Sequence, residues 1–189
     1  MSMDIVPYPC WGITFQSPVE DVKSLAACLL EWRRDDNWLL LGGHSAISDR
    51  QLWTAWMGVG SRQIQGKMRS HNLDAEFIRL IAGTHQIRIG FERAGVANGD
   101  QTAWLIHIPE YPESEIESMQ WPELNRVELD EEAARLMRVL NASLLTHRPM
   151  PNSESTHKLA LEIESDASTE DFSAIERAAL SHIALADLH

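Results

Sequence analysis

Cysteine and long apolar runs are scarce in this sequence of 189 residues, and each scarcity excludes a class of protein. Only Cys10 and Cys28 are present, too few for a disulfide-rich secreted scaffold, so we expect two reduced thiols. No run approaches the roughly 18 apolar residues of a membrane span. The first residues, MSMDIVPYPC, have neither the basic leader nor the apolar core of a secretory signal. We therefore expect a cytoplasmic protein without a membrane partner.

The common motifs of catalysis and cofactor binding are also missing from the sequence. It has no GxxxxGK[ST] phosphate loop, no GxGxxG, no HxxxH or CxxC metal spacing and no GxSxG nucleophile elbow. His44, Ser45 and Asp49 are close in sequence, but a catalytic triad is defined by placement in space. We predict a non-enzyme with no cofactor, no metal and no small-molecule substrate.

The net charge of -12 is concentrated in the second part of the chain. Residues 1–109 carry 11 acidic and 10 basic side chains, whereas residues 110–189 carry 17 acidic and 6 basic ones. The stretch 61–93 is locally basic, with six Arg and Lys residues against three acidic ones. On charge alone a solvated helix surface is favoured, although a local patch can bind phosphate within a Debye length of about 8–10 Å.

Short apolar runs and helical periodicity alternate along the chain, which predicts a mixed α+β fold. We expect a central mixed β-sheet of about four to five strands flanked by helices, in a single domain over 1–189, with flexible acidic loops at about 110–125 and 147–157. The predicted strands are CWGITF, NWLLLGG, TAWLIHI and KLALEI.

Capping residues predict where the helices begin and end. Ser17, Pro18 and Glu20 form a capping-box pattern, and Ser48 opens a helix whose Trp53 and Trp56 are expected in the core. The further predicted starts are Asn72, Thr84, Asp130 (with its helix continuing to about Leu145) and Ser168. Gly83 and Gly95 are predicted to end the helices after Asn72 and Thr84, and a close helix crossing would explain Gly90.

The last predicted helix has two apolar stripes. Ile175, Ala179, Ile183 and Ala186 form one stripe at helical spacing, and Leu180, Ala184 and Leu188 form a second about a hundred degrees away. One stripe can pack on the domain itself. The second needs another neighbour, which is either the domain interior, a second copy or a partner protein.

Several segments together carry a family signature: LWTAWMGV, NLDAEFIRLIAG, HQIRIGFERAGV, TAWLIHI and the last helix. The signature positions in them are Ala55, Asn72, Glu76, Gly83, Gln86, Ile87 and Gly95. In these residues the chain resembles the family of small non-catalytic subunits of the KEOPS (EKC) complex, the p53-related protein kinase-binding proteins, over about residues 1–109 and 128–189. The acidic loop and the loop near 147–157 resemble insertions, and Gly90 with Phe91 replaces the Glu-Ala that is usual in the family.

The resemblance implies a regulatory subunit that binds the atypical KEOPS kinase, which acts as an ATPase. It also implies help in recruiting tRNA, in archaea through the 3′ CCA end, for threonylcarbamoyladenosine formation. We expect kinase contacts from the last helix and tRNA contacts from basic residues after the tryptophan helix. The expected kinase-contact residues are Leu180, Ile183, Ala184, Asp187 and Leu188, and the expected tRNA-contact residues are Arg62, Lys67, Arg69, His71, Asn72 and Arg88.

A helix-turn-helix DNA-binding regulator is the alternative. The two helices after Asn72 and Thr84, joined by a glycine-containing turn, have the outline of that motif. The residues that would face a groove are His85, Gln86, Arg88 and Arg93. The strong acidity of the remainder counts against it, because base readers usually carry a surplus of positive charge. Preference for duplex DNA over tRNA would distinguish the two functions.

Overall fold

The computed structural model describes residues 5–111, 122–148, 150–163 and 171–188. In these ranges one four-stranded sheet is formed by β1 (Cys10–Phe15), β2 (Trp38–Gly42), β3 (Thr102–His107) and β4 (Ala142–Leu144), in the order β2-β3-β1-β4. Every pairing is antiparallel. The expected mixed α+β class and strand number are confirmed. A mixed sheet was expected, but the sheet in these ranges is antiparallel: β1 and β2 share one direction and β3 and β4 the other, and strands of opposite direction alternate.

Seven helices lie in the described residues. Four of them, α2 (Asp49–Ile64), α3 (Leu73–Ile81), α4 (Ile87–Ala94) and α7 (Phe172–Ala184), pack together on one side. Trp104 and Ile106 of β3 join the core on this side. Ala103 and Leu105 of β3 face a second core, to which α1 (Val22–Trp32) and α5 (Arg126–Val139) contribute. The period-2 alternation of the central strand thus divides the core into two layers. The short α6 is Ser153–Lys158.

The predicted start of α1 at Ser17 is wrong. The helix begins at Val22, with Asp21 as the N-cap accepting from the Lys23 N–H at 3.1 Å. The segment before it is not helical, because the Val19 N–H donates to the Asp100 carbonyl at 2.9 Å and the Val19 carbonyl accepts from the Gly99 N–H at 2.7 Å. A tertiary contact therefore overrides the local capping pattern.

The region after residue 125 also differs from the prediction. Helix α5 begins at Arg126, capped by Asn125, and ends at Val139 instead of continuing to Leu145. Asn141 takes a left-handed conformation (φ 52°), which turns the chain so that β4 can pair with β1. The predicted strand KLALEI is wrong, since Lys158 ends α6 and residues 159–163 have no strand partner. Part of the predicted second loop is therefore helical.

Other local predictions are confirmed or shifted by a few residues. Ser48 caps α2, accepting from the Gln51 N–H at 3.1 Å, and Trp53 and Trp56 are buried. Gly83 is left-handed (φ 60°), whereas Gly95 (φ -75°) is not and ends α4 in an extended conformation. The N-cap of α4 is Gln86 in place of Thr84. The predicted start of the last helix, Ser168, lies outside the described residues, and α7 is capped by Asp171.

The close crossing expected at Gly90 is confirmed. A Cβ placed on Gly90 would lie 3.1 Å from the Arg79 Cα. Helix α4 therefore approaches the backbone of α3 at Gly90, the residue of α4 that has no side chain. This contact fixes α4 against α3 and holds Arg79 toward the interior.

Candidate partner-binding surface

Helices α2 and α7 run side by side in the same direction. Arg50 near the start of α2 lies 3.9 Å from Glu176 near the start of α7, and Arg62 in the last turn of α2 lies 2.7 Å from Asp187, just beyond α7. Ion pairs at both ends thus define a shared border. Any side chains along this border that point outward form one surface.

The two apolar stripes predicted for α7 are confirmed. Ile175, Ala179, Ile183 and Ala186 are buried in the core beside α2 and α3. The second stripe faces outward: Leu180 is half-buried, Ala184 is exposed and Leu188 is 77% exposed. Ile183 was also expected at the kinase interface, but the free chain buries its side chain. It belongs to the inward stripe and is 4% exposed.

Two exposed apolar residues of α2 extend the outward stripe, and the sequence analysis did not identify them. Met57 is 38% exposed and Ile64 60% exposed. They follow Arg50 at intervals of seven residues, so all three share one side of α2, and Arg50 shows that this side borders α7. Exposed apolar side chains on both helices therefore adjoin. We call this set the α2–α7 surface: Met57, Ile64, Leu180, Ala184 and Leu188.

At one end of this surface, three guanidinium groups surround the carboxylate of Asp187. Oδ2 accepts from Arg62 Nη2 at 2.7 Å and Nε at 3.1 Å, and Oδ1 accepts from Arg79 Nη1 at 2.9 Å. Arg69 Nε lies 3.6 Å from Oδ1. These residues, with Glu76, are the arginine cluster. It unites Arg62 and Arg69, predicted to contact tRNA, with Asp187, predicted to contact the kinase.

Glu76 forms the buried base of the arginine cluster. Glu76 and Arg79 are both 0% exposed and are paired through two hydrogen bonds. Glu76 Oε2, which accepts from Arg79 Nε, also accepts from the backbone N–H groups of Arg69 and Ser70, at 3.2 and 3.1 Å. This carboxylate therefore fixes the segment between α2 and α3. The structure explains why the signature glutamate stands at this position.

The arginines set the charge state of Asp187. Partial burial acts to raise the pKa of this carboxyl, but the hydrogen bonds and charges of Arg62 and Arg79 outweigh burial and lower the pKa below its ordinary value. Asp187 is therefore ionised at neutral pH. Three guanidinium groups and two carboxylates leave the arginine cluster with one net positive charge.

The remaining predicted tRNA residues occupy two separate places. Lys67, His71 and Asn72 are exposed in and beside the segment between α2 and α3, next to the arginine cluster. Asn72 is the N-cap of α3 as predicted, although its side chain makes no capping hydrogen bond. Arg88 lies on α4, 77% exposed and paired with Glu92. Arg62 was predicted to lie in a loop, but it belongs to the last turn of α2, and its guanidinium is paired with Asp187.

Two cysteines are the thiol groups among the described residues. Cys10 and Cys28 are free thiols, and burial raises the pKa of Cys10 to about 12, which keeps it protonated at neutral pH. In the parts of the chain that the structure covers, no three His, Cys, Asp or Glu side chains are grouped to hold a metal ion. Within the same parts, none of the helices is long and apolar enough to cross a membrane.

An α+β domain with an exposed apolar helix pair beside a structural ion-pair cluster has the architecture of a protein-binding subunit. The family described as "Kinase binding protein CGI-121" matches residues 17–187. The chain belongs to this family of kinase-binding proteins, the KEOPS (EKC) subunit family that its sequence resembles. A comparison with curated proteins finds no match.

Proposed function

We propose that this protein is a non-catalytic KEOPS subunit that binds and regulates the atypical kinase/ATPase of the complex through the α2–α7 surface. The observation that carries the proposal is the outward stripe of α7, which lies beside α2, where Met57 and Ile64 are also exposed. Family membership supplies the kind of partner. Apolar side chains on two adjoining helices suit the apolar centre of a protein–protein interface.

We also propose that the exposed basic residues beside the arginine cluster help to recruit tRNA through its 3′ CCA end for threonylcarbamoyladenosine formation. Lys67, Arg69 and His71 are exposed on one segment, and Asn72 opens α3 beside them. Basic side chains and helix N-termini bind phosphate without reading sequence. Membership of a kinase-binding family supports this function over a DNA-binding regulator.

Ala184→Asp is expected to abolish binding of the kinase and to leave thermal unfolding nearly unchanged. Ala184 is exposed in the middle of the α2–α7 surface, so a charge there is solvated in the free chain and desolvated in the complex. The measurement is a titration of wild type and variant with the folded kinase of the same organism, beside a thermal melt of each.

Ala27→Asp is the matched control, because Ala27 is also exposed, but on α1. It should bind the kinase as the wild type does. Equal kinase affinity of Ala184→Asp and Ala27→Asp would contradict the proposed surface. Failure of the wild type to bind a folded kinase would contradict the kinase-binding function itself.

A further inference from the structure

We propose that Arg62, Arg69 and Arg79 form a phosphate-binding site that the Asp187 carboxylate fills in the free chain. The three arginines already form the site, and only Asp187 has to leave it. The identification of RNA as the source of the phosphate rests on the proposed function, whereas the site itself rests on the geometry of the three arginines.

The geometry resembles recognition of an oxyanion more than an ordinary surface salt bridge. Both oxygens of Asp187 are occupied, one by two nitrogens of Arg62 and the other by Arg79 with Arg69 nearby. Guanidinium groups match carboxylate and phosphate in the same forked arrangement. A phosphate offers more acceptor oxygens and a similar or larger charge, so it can replace the carboxylate on the same donors.

Two of the three arginines, Arg62 and Arg79, are preorganised without Asp187. Glu76 and the Thr84 carbonyl hold Arg79 in place, the latter at 2.9 Å, and the Gly58 carbonyl holds Arg62 Nη1 at 2.9 Å. If Asp187 leaves, three guanidinium groups remain beside a single buried carboxylate. Partly buried charges of one sign are costly unless an anion enters, so the empty cluster favours phosphate.

Asp187 can leave without disrupting a helix. It lies beyond Ala184, the last residue of α7, and its side chain is 42% exposed. The turn after α7 is closed by the Ala186 N–H donating to Ile183 at 3.3 Å and the Leu188 N–H donating to Leu185 at 2.8 Å. Opening this turn breaks these two bonds and the packing of Ala186, the last residue of the inward stripe, whereas Ile175, Ala179 and Ile183 stay in the core.

Asp187→Asn tests the site, because it keeps the shape and removes the competing charge. With a labelled single-stranded RNA ending in CCA, we expect about tenfold tighter binding than wild type, within the range typical of coupled sites. Glu31→Gln removes the same charge from an exposed residue of α1 and should change the affinity by less than about twofold. Adding Arg62→Gln to Asp187→Asn should remove the gain.

Inorganic pyrophosphate, titrated into the same variants at constant ionic strength, distinguishes a free phosphate ligand from the phosphate groups of RNA. Tighter binding of both probes supports the site with RNA as its ligand. Tighter binding of pyrophosphate alone supports the site and contradicts RNA recruitment through it. Equal gains in Asp187→Asn and Glu31→Gln for both probes would overturn the site, whatever the result of the kinase titration.

Hydrogen exchange on the wild type gives a second measurement that does not depend on a variant folding. Saturating pyrophosphate should accelerate exchange of the Ala186 and Leu188 amides as Asp187 is displaced. The Ala179 and Ile183 amides, within α7, should be unaffected. Unchanged or slower exchange at Ala186 and Leu188 with pyrophosphate bound would show that the carboxylate is not displaced and would overturn the proposal.

Discussion

At the scale of single residues, the arginine cluster shows how a charged side chain can be fully buried. Arg79 is 0% exposed, yet its guanidinium donates to Glu76, Asp187 and the Thr84 carbonyl. Removing one partner of a buried pair leaves an uncompensated charge, which typically costs about 3–5 kcal/mol. The Glu76–Arg79 pair is therefore a structural element of the fold as well as the base of the proposed phosphate site.

The lowered pKa of Asp187 predicts a pH-dependent stability. A carboxyl whose pKa is lower in the folded state stabilises fully above its unfolded pKa of about 3.9, and this contribution is lost as pH falls through the folded pKa. Wild type should therefore melt at a higher temperature than Asp187→Asn at pH 7. The difference should shrink below about pH 4, where the carboxyl becomes protonated.

Thermal melts of both proteins between pH 7 and pH 2.5 provide the measurement. Carboxyls outside the cluster, such as Glu132 and Glu154, are common to both proteins and cancel in the difference. The groups that face Asp187 are Arg62, Arg69 and Arg79, with Glu76 behind them. A difference in melting temperature that stays constant over this range would contradict the assigned ion pairs.

At the scale of helices and strands, the contact between α3 and α4 sets how the arginine cluster is supported. The Cβ of an alanine at position 90 would meet the Arg79 Cα at 3.1 Å and the Arg79 N at 3.4 Å, both of them backbone atoms. Gly90→Ala is expected to lower the free energy of unfolding by up to about 2 kcal/mol, because overpacking costs about 1–3 kcal/mol and the gain in helix propensity returns roughly 1 kcal/mol.

Urea unfolding of Gly90→Ala against wild type measures this effect. Ala27→Gly, on the exposed side of α1, calibrates the propensity contribution alone and should cost about 1 kcal/mol. If Gly90→Ala proved more stable than wild type by that same amount, the helices would not cross as closely as described.

Sequence patterns identified elements where the deciding interactions are local. Ser48 caps α2 through a bond to Gln51, three residues away, and Gly83 adopts the left-handed conformation that ends α3. Sequence patterns did not identify elements whose bounds depend on contacts between residues far apart in the chain. The start of α1 depends on a backbone contact between Val19 and Asp100, and β4 depends on pairing with β1 after the turn at Asn141.

The same distinction applies to the candidate site. The outward stripe of α7 follows from helical spacing and was predictable, although Ile183, a member of the inward stripe, was also expected to contact the kinase. Met57 and Ile64 could have been found from their spacing with Arg50. The pairing of Arg79 with Asp187 spans 108 positions of sequence, and no local pattern indicates it.

At the scale of the whole molecule, the net charge of -12 opposes the approach of RNA, and only the local basic segment favours it. Binding of tRNA should therefore weaken steeply with salt. Lys67→Gln removes an exposed cation beside the arginine cluster, and we expect it to lower the slope of log affinity against log salt by about one.

The measurement is a salt titration of affinity for tRNA with and without its CCA end. Lys23→Gln, at an exposed position on α1, is the control and should leave the slope unchanged. Identical slopes for Lys67→Gln and Lys23→Gln would show that the segment does not contact phosphate. Tighter binding to duplex DNA than to tRNA would favour a DNA-binding regulator instead.

The position of β3 between β1 and β2 has a consequence for how the chain folds during synthesis. β1 pairs with β3 from Cys10↔Ile106 to Thr14↔Thr102, and within the described ranges β2 pairs with β3 alone. Neither of the first two strands has a partner until residues near 107 leave the ribosome. Such long-range closure slows folding and leaves strand edges unpaired, so the nascent first half depends on its helices to hide its apolar residues until the third strand arrives.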